Sequence, residues 1–314
     1  MRVIGPVVCI VGPTASGKSA LAEEVALRLD TSVISVDAMQ VYRGMDVGTA
    51  KTPVAERRVP LLMVDVADPD EDYSVRLFQR DARACADRLL AEGRVPVLCG
   101  GTGLYLNAVI DEMDFPAGER GGASRERYER MAEELGGDAL HALLAERDPA
   151  SAAIIHPNNV RRVVRALEML DEGVSYARQH EGLHARAVHY DARLWGLTMS
   201  RERLYARIDA RVDAMMEAGL LDEVRGLCAR GLSLETSSGQ AIGYKELLSA
   251  LAGETSVEEA VELVKRRSRR YAKRQLSWFR HDPRVRWIDL DQTSGEDAVR
   301  LVLDDLGEVR CGTV

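Results

Sequence analysis

Residues 7–29 read VVCIVGPTASGKSALAEEVALRL, and this stretch decides the fold. Val7–Val11 is a short apolar run ended by Gly12 and Pro13, the pattern of a buried strand. Ser19–Leu29 carries apolar residues at helical spacing. Between them Gly12-Pro13-Thr14-Ala15-Ser16-Gly17-Lys18-Ser19 fits G-x-x-x-x-G-K-[ST], in the strand–loop–helix setting that this motif requires. The glycines let the backbone curl so that its N–H groups point inward at phosphate oxygens. The helix that follows adds the positive end of its dipole. Lys18 supplies a full positive charge, and Ser19 offers a hydroxyl to a Mg²⁺ ion. The loop therefore predicts a bound polyphosphate. It does not say which one: a kinase would hold ATP here, and a transferase with a diphosphate leaving group would use the same cradle.

Outward from the loop, Val33–Val36 reads as a second strand ending at Asp37. Ser74–Leu90 reads as a helix with Ser74 as its N-cap, and Val95–Cys99 as a third strand ending at Gly100-Gly101. Strands alternating with helices, with motifs at the strands' C-terminal ends, imply a parallel α/β sheet whose ligands bind at that edge. The pattern changes after about residue 112. Phe115–Gly122 (FPAGERGG) is rich in Pro and Gly, 124–173 is helical in pattern and rich in charge, and His180–Tyr190 is polar and reads as loop. Leu194–Thr198 reads as a return to the sheet, and 201–281 as a series of amphipathic helices. The expected fold is an α/β, P-loop NTPase-like parallel core, residues 1–115 and 191–314, with a helical insertion domain at 116–190.

The formal net charge of −8 speaks against a generally sticky nucleic-acid binder, because neutralising phosphates takes Lys and Arg. Two local basic surfaces stand against that background. Arg161, Arg162 and Arg165 lie in a helical segment where Arg161 and Arg165 share a face. Lys265–Arg270, followed by Lys273 and Arg274, is the densest run of positive charge, and it reads as a contact for an RNA backbone. None of the five cysteines stands in C-x-x-C spacing, so neither a zinc site nor a thioredoxin-like motif is indicated. Cys9 and Cys99 are expected to be small buried hydrophobes. No apolar run approaches the roughly 18–20 residues of a membrane span. The N-terminal apolar stretch leads into a glycine loop rather than a small-residue cleavage site, so a cytoplasmic protein is expected.

Four further segments bear on the chemistry. They are Asp37–Lys51 (DAMQVYRGMDVGTAK), Gly100–Leu106 (GGTGLYL), Gln240–Glu246 (QAIGYKE) and Arg270–Arg280 (RYAKRQLSWFR). Together with GPTASGKS, in this order from Val7 to Arg280, they resemble the bacterial tRNA dimethylallyltransferase (tRNA isopentenyltransferase) family. The resemblance implies a reaction: N6 of the adenosine 3′-adjacent to the anticodon attacks C1 of dimethylallyl diphosphate, and diphosphate leaves with Mg²⁺ assisting. It implies that Asp37 is the general base and that Thr102 lies between the two substrates. It places Gly12, Pro13, Thr14, Ala15, Ser16, Gly17, Lys18, Ser19 and Arg211 around the diphosphate. Asp37, Ala38, Met39, Gln40, Thr102, Arg125, Arg161, Arg162 and Arg165 would meet the tRNA anticodon stem-loop. The family commonly has Ser after the Asp, where this chain has Ala38, so a hydroxyl role at that position is absent here. A monomer with no membrane partner is expected, and Trp278 and Phe279 are expected in the core.

Three rival readings remain at this point. A small-molecule kinase explains GPTASGKS but not GGTGLYL, Asp37–Lys51 or the arginines of the insertion. An adenylate isopentenyltransferase acting on AMP or ATP shares the catalytic motifs but has no use for the insertion. A non-enzymatic RNA adaptor has no use for Asp37.

Overall fold

The apolar run before the phosphate loop becomes the central strand of a six-stranded, wholly parallel sheet. The structure, a computed structural model, describes residues 4–115, 122–184 and 187–311. The first half of the core contains β1 (Ile4–Val11), α1 (Lys18–Arg28), β2 (Val33–Val36), β3 (Leu61–Leu62), α2 (Val75–Ala91), β4 (Val97–Gly100) and α3 (Gly103–Ile110). Five helices follow: α4 (Ala123–Leu135), α5 (Gly137–Arg147), α6 (Pro149–Ile154), α7 (Val160–Asp171) and α8 (Tyr176–His184). The chain then returns through β5 (Tyr190–Thr198), α9 (Arg201–Glu217), α10 (Leu220–Cys228), α11 (Tyr244–Leu251), α12 (Val257–Arg280), β6 (Arg286–Asp289) and α13 (Gly295–Cys311).

The sheet order is β3-β2-β4-β1-β5-β6. Every strand points the same way, so the phosphate loop after β1, Asp37 after β2 and Gly101-Thr102 after β4 emerge along one edge. That edge is where open parallel sheets bind ligands. Alternation along β1 divides the core. Val7, Cys9 and Val11 pack on the side of Phe78, Ala82 and Ile110, while Val8 and Ile10 face Ala22 and Val25 of α1 and Val302 of α13. Cys9 and Cys99 are buried. Ser74 caps α2, its hydroxyl accepting from the Leu77 N–H at 3.3 Å.

Contacts divide the chain into two compact units, Met1–Ile110 with His189–Val314, and Asp111–Val188. The second unit has its own core of Tyr128, Leu140, Leu144, Val163, Val164 and Leu167. Most of the Pro/Gly-rich segment, residues 116–121, lies outside the described residues, as do 185–186 of the polar stretch.

Three expectations need correction. The polar stretch after 180 is not all loop, because α8 runs to His184. Its start is fixed by packing rather than propensity: Ala177 is buried, and its N–H donates to Ser151 Oγ at 2.9 Å. The strands β3 and β6 and the helix α13 extend the core beyond the elements read from sequence; β3 is only two residues long and carries no pattern of its own. Phe279 is buried, but Trp278 is 44% exposed, because α12 turns it onto Gly103 rather than into the core.

Candidate active site

The phosphate loop is held from three sides. Lys18 Nζ folds back to donate to Pro13 O at 3.2 Å. Ala15 has a φ of 62°, a left-handed conformation unusual for a residue with a side chain. Arg207 Nε, on α9, donates to Ala15 O at 2.8 Å and so fixes that peptide. Gln275, buried on α12, accepts from Thr14 N–H at 2.9 Å and donates to Gly101 O at 3.0 Å. Arg207 lies outside the motifs, and Gln275, although inside RYAKRQLSWFR, was given no role there. Val264, Ser268, Tyr271 and Gln275 form the face of α12 that lines the cavity, and a polar residue at that helical spacing is the clue the sequence offered.

Asp37 sits one residue past β2. Its Oδ1 accepts from the N–H groups of Met39 at 2.9 Å and Gln40 at 3.4 Å, an Asx turn that orients the carboxylate. Among the described residues none donates to Oδ2. Thr102 Oγ1 accepts from the Ala38 N–H at 3.3 Å, tying the β4 loop to the β2 loop. Gly100 allows this approach, since a Cβ there would stand 1.9 Å from Val36 O.

Lys18, Ser19, Asp37, Thr102 and Arg211 line one cavity of about 330 Å³. Arg211 reaches it because Ile208, Arg211, Val212 and Met215 form one face of α9. Burial holds the Lys18 ammonium below the usual lysine range. Burial likewise lowers Arg211, with the Asp37 charge opposing and Arg207 adding to the shift. Two desolvated cations beside a curled loop make a site short of negative charge, which an anionic ligand would supply. Cys99, on the cavity floor, is pushed up to about 11 by burial and stays a neutral thiol. Tyr271 is also raised by burial, the Asp37 charge adding to it, and its phenol keeps its proton.

The arginines expected at the RNA lie elsewhere in the chain. Arg161 and Arg162 are exposed on α7, and Arg165 pairs with Glu168 at 3.0 Å. Arg125, on α4, pairs with Glu129 at 3.0 Å. In the basic run of α12, Lys265 pairs with Asp213, Arg267 with Glu246 and Arg269 with Asp209. Arg266, Arg270, Lys273 and Arg274 are exposed.

Residues 40–282 match the family model described as IPP transferase, and residues 5–59 match one described as isopentenyl transferase. A tRNA dimethylallyltransferase of Exiguobacterium sp. is 45% identical over 302 residues, 96% of each chain. The crystal structure of the full-length tRNA isopentenylpyrophosphate transferase of Bacillus halodurans is 43% identical, with 97% of each chain covered and a TM-score of 0.71. This chain belongs to the tRNA dimethylallyltransferase family. It is a prenyltransferase by that membership. A eukaryotic dimethylallyltransferase, captured acting on tRNA, extends the family likeness to 28% identity, with 97% of this chain and 80% of that one covered and a TM-score of 0.80. The glycine loop, Asp37 and Thr102 lie at one sheet edge, while residues 111–188 form a separate unit. No helix among the described residues is long and apolar enough to cross a membrane.

Proposed function

We propose that the protein transfers a dimethylallyl group from dimethylallyl diphosphate to N6 of the adenosine 3′-adjacent to the anticodon of tRNA, releasing diphosphate. The observation that carries this reading is the meeting of Lys18, Arg211, Asp37 and Thr102 in one cavity. The cations and the loop N–H groups bind the diphosphate and stabilise the charge that develops as C1–O breaks. Adenine N6 is a weak nucleophile because its lone pair is delocalised into the ring. Asp37 Oδ2 accepts its proton as the N6–C1 bond forms. Thr102 stands beside both reacting ends, and Ala38, Met39 and Gln40 flank the base.

The donor set also fits Mg²⁺, which binds through a few protein oxygens and its partner's phosphates. Ser19, whose hydroxyl is the candidate ligand, lines the same cavity and would hold it together with the diphosphate oxygens. The ion would supply further charge neutralisation of the diphosphate. A base inside an RNA loop must be swung out to reach such a cavity. Residues 111–188 form the domain that grips the anticodon stem-loop through Arg125, Arg161, Arg162 and Arg165, and the protein acts as a monomer in the cytoplasm.

The test is incubation with labelled dimethylallyl diphosphate, Mg²⁺ and unmodified tRNA, without ATP. Label on tRNA that disappears when the anticodon-adjacent adenosine is replaced supports the whole reading. Label on AMP instead would make the protein an adenylate isopentenyltransferase. No transfer to either, with phosphoryl transfer from ATP, would make it a kinase.

A further inference from the structure

Glu223, on α10, accepts four hydrogen bonds with a single carboxylate. Its Oε2 takes the N–H groups of Asp46 at 2.9 Å and Val47 at 2.7 Å. Its Oε1 takes the N–H of Gly48 at 3.1 Å and the hydroxyl of Tyr244 at 2.6 Å. An ionised carboxylate has about four lone-pair sites, so Glu223 is saturated. Burial raises the Tyr244 phenol and the Glu223 charge adds to this, so the tyrosine remains a donor. Three consecutive N–H groups converging on one anion form a nest built around a protein side chain.

The segment held this way has no helix or strand of its own, yet Gly48, Thr49 and Ala50 form a wall of the active cavity. Gly48 is pressed against Tyr244: a Cβ would come within 2.5 Å of the ring. The far end is pinned by the buried Lys51, whose Nζ donates to Tyr42 O at 2.5 Å, Asp46 at 2.8 Å and Asp65 at 2.6 Å. From this wall the contacts lead to Asp37. Thr49 O accepts from Gln40 Nε2 at 3.1 Å, and Gln40 Oε1 accepts from Ser35 Oγ at 2.7 Å. The Gln40 backbone N–H is one of the two donors to Asp37 Oδ1.

We propose that Glu223 is a positioning residue for the acceptor side of the reaction: it fixes the backbone of 46–49, which holds Gln40, which in turn aims the Asp37 carboxylate. The proposal rests on the reading of Asp37 as the base. A residue that only fastened α10 to the core would change stability without favouring one substrate over the other.

Glu223→Gln is the informative change. The amide has nearly the same shape, but one of its two ends becomes a donor. Facing Asp46 and Val47, that end would oppose two N–H groups; facing Gly48, it opposes one. The least costly arrangement releases the Gly48 N–H and loosens the wall at Thr49. Transfer kinetics are measured for the unaltered protein, Glu223→Gln, Gln40→Ala and the double variant at a temperature well below every melting point. Glu223→Gln lowers kcat/KM for tRNA roughly ten- to hundredfold. It leaves KM for dimethylallyl diphosphate within about twofold. In the Gln40→Ala background the same change costs almost nothing further, because the two act in series. Independent, multiplying losses in the double variant, or an equal loss on the prenyl diphosphate side, overturns the proposal. If the unaltered protein labels AMP rather than tRNA, the function proposed above fails, and the same four proteins test the proposal with AMP as acceptor. If it transfers to neither, amide exchange decides. Glu223→Gln then speeds exchange at Met39 and Gln40 as well as at 46–48, and unchanged exchange at Met39 and Gln40 overturns the proposal.

Discussion

The backbone N–H of Thr14 donates to the side-chain oxygen of Gln275 at 2.9 Å, although 261 residues separate them. Because the amide of Gln275 also donates to Gly101 O, one helix residue sets the distance between the phosphate loop and the loop that bears Thr102. Gln275→Ala leaves the buried Gly101 carbonyl and the half-buried Thr14 N–H without this partner. We expect a loss of stability of about 1–3 kcal/mol, mainly from leaving the buried Gly101 carbonyl unpaired. We also expect kcat/KM to fall by more than that destabilisation explains, read in denaturant titration and transfer assays. Wild-type kcat/KM in a folded Gln275→Ala protein would remove the bridge from the mechanism.

Lys18 shows the conflict between binding and stability. Its pKa is lowered by burial, so the charged form is disfavoured in the folded, ligand-free protein. The cost is fully present below the folded pKa and is relieved as pH rises through that value toward the ordinary lysine range. Lys18→Met therefore melts higher than the unaltered protein at neutral pH. The gap narrows as pH rises. Added diphosphate stabilises the unaltered protein and not the variant. A lower melting temperature for ligand-free Lys18→Met at pH 7 would contradict this account.

Asp37→Asn keeps the shape of the Asx turn and removes the proton acceptor. The expected result is a fall in kcat of about 10²–10⁴-fold, the usual worth of a positioned base. Affinity for tRNA, measured by filter binding, should stay within a few-fold, since charge repulsion of phosphate is not how Asp37 acts. Near-normal turnover would show that solvent takes the proton.

Arg161→Ala combined with Arg165→Ala tests the RNA face of α7. We expect weaker tRNA binding and a shallower dependence on salt, by about one to two in the slope of log K against log salt. Binding of dimethylallyl diphosphate should not change. Arg165 is also the partner of the buried Glu168, so the melting temperature is needed beside the binding curve. An unchanged salt slope in a folded variant would move the RNA surface away from these residues.

The legible parts of this protein were the local ones. The β1–loop–α1 unit follows from a continuous apolar run, a glycine pattern and a helical period within 23 consecutive residues. The motifs at Asp37 and Gly100 could be read because each ends a strand. What escaped the sequence depends on how distant helices lie. Arg207 and Gln275 meet the phosphate loop only because α9 and α12 cross the same sheet edge. The exposure of Trp278 depends on Gly103 offering a seat without a Cβ, where one would stand 2.1 Å from the indole. The basic run of α12 looked uniform as letters, yet Lys265, Arg267 and Arg269 are paired with Asp213, Glu246 and Asp209. The start of α8 is decided by Ser151, a residue on another helix, and not by its own polar composition.

Where the chain leaves and rejoins the sheet-bearing unit, its two threads run side by side. Asp111 bridges Val188 in antiparallel fashion, Glu112 N–H donates to Ala187 O at 2.7 Å, and His189 N–H donates to Ile110 O at 3.0 Å. The 78-residue excursion between them is therefore a detour with a common doorway, since the second unit runs from 111 to 188. Such a plan lets one unit be exchanged without rethreading the other: a short turn joining Ile110 to His189 would close the remaining circuit. Selection can then reshape the excursion while leaving the sheet-bearing unit alone, as a tool handle keeps its socket when the bit is changed.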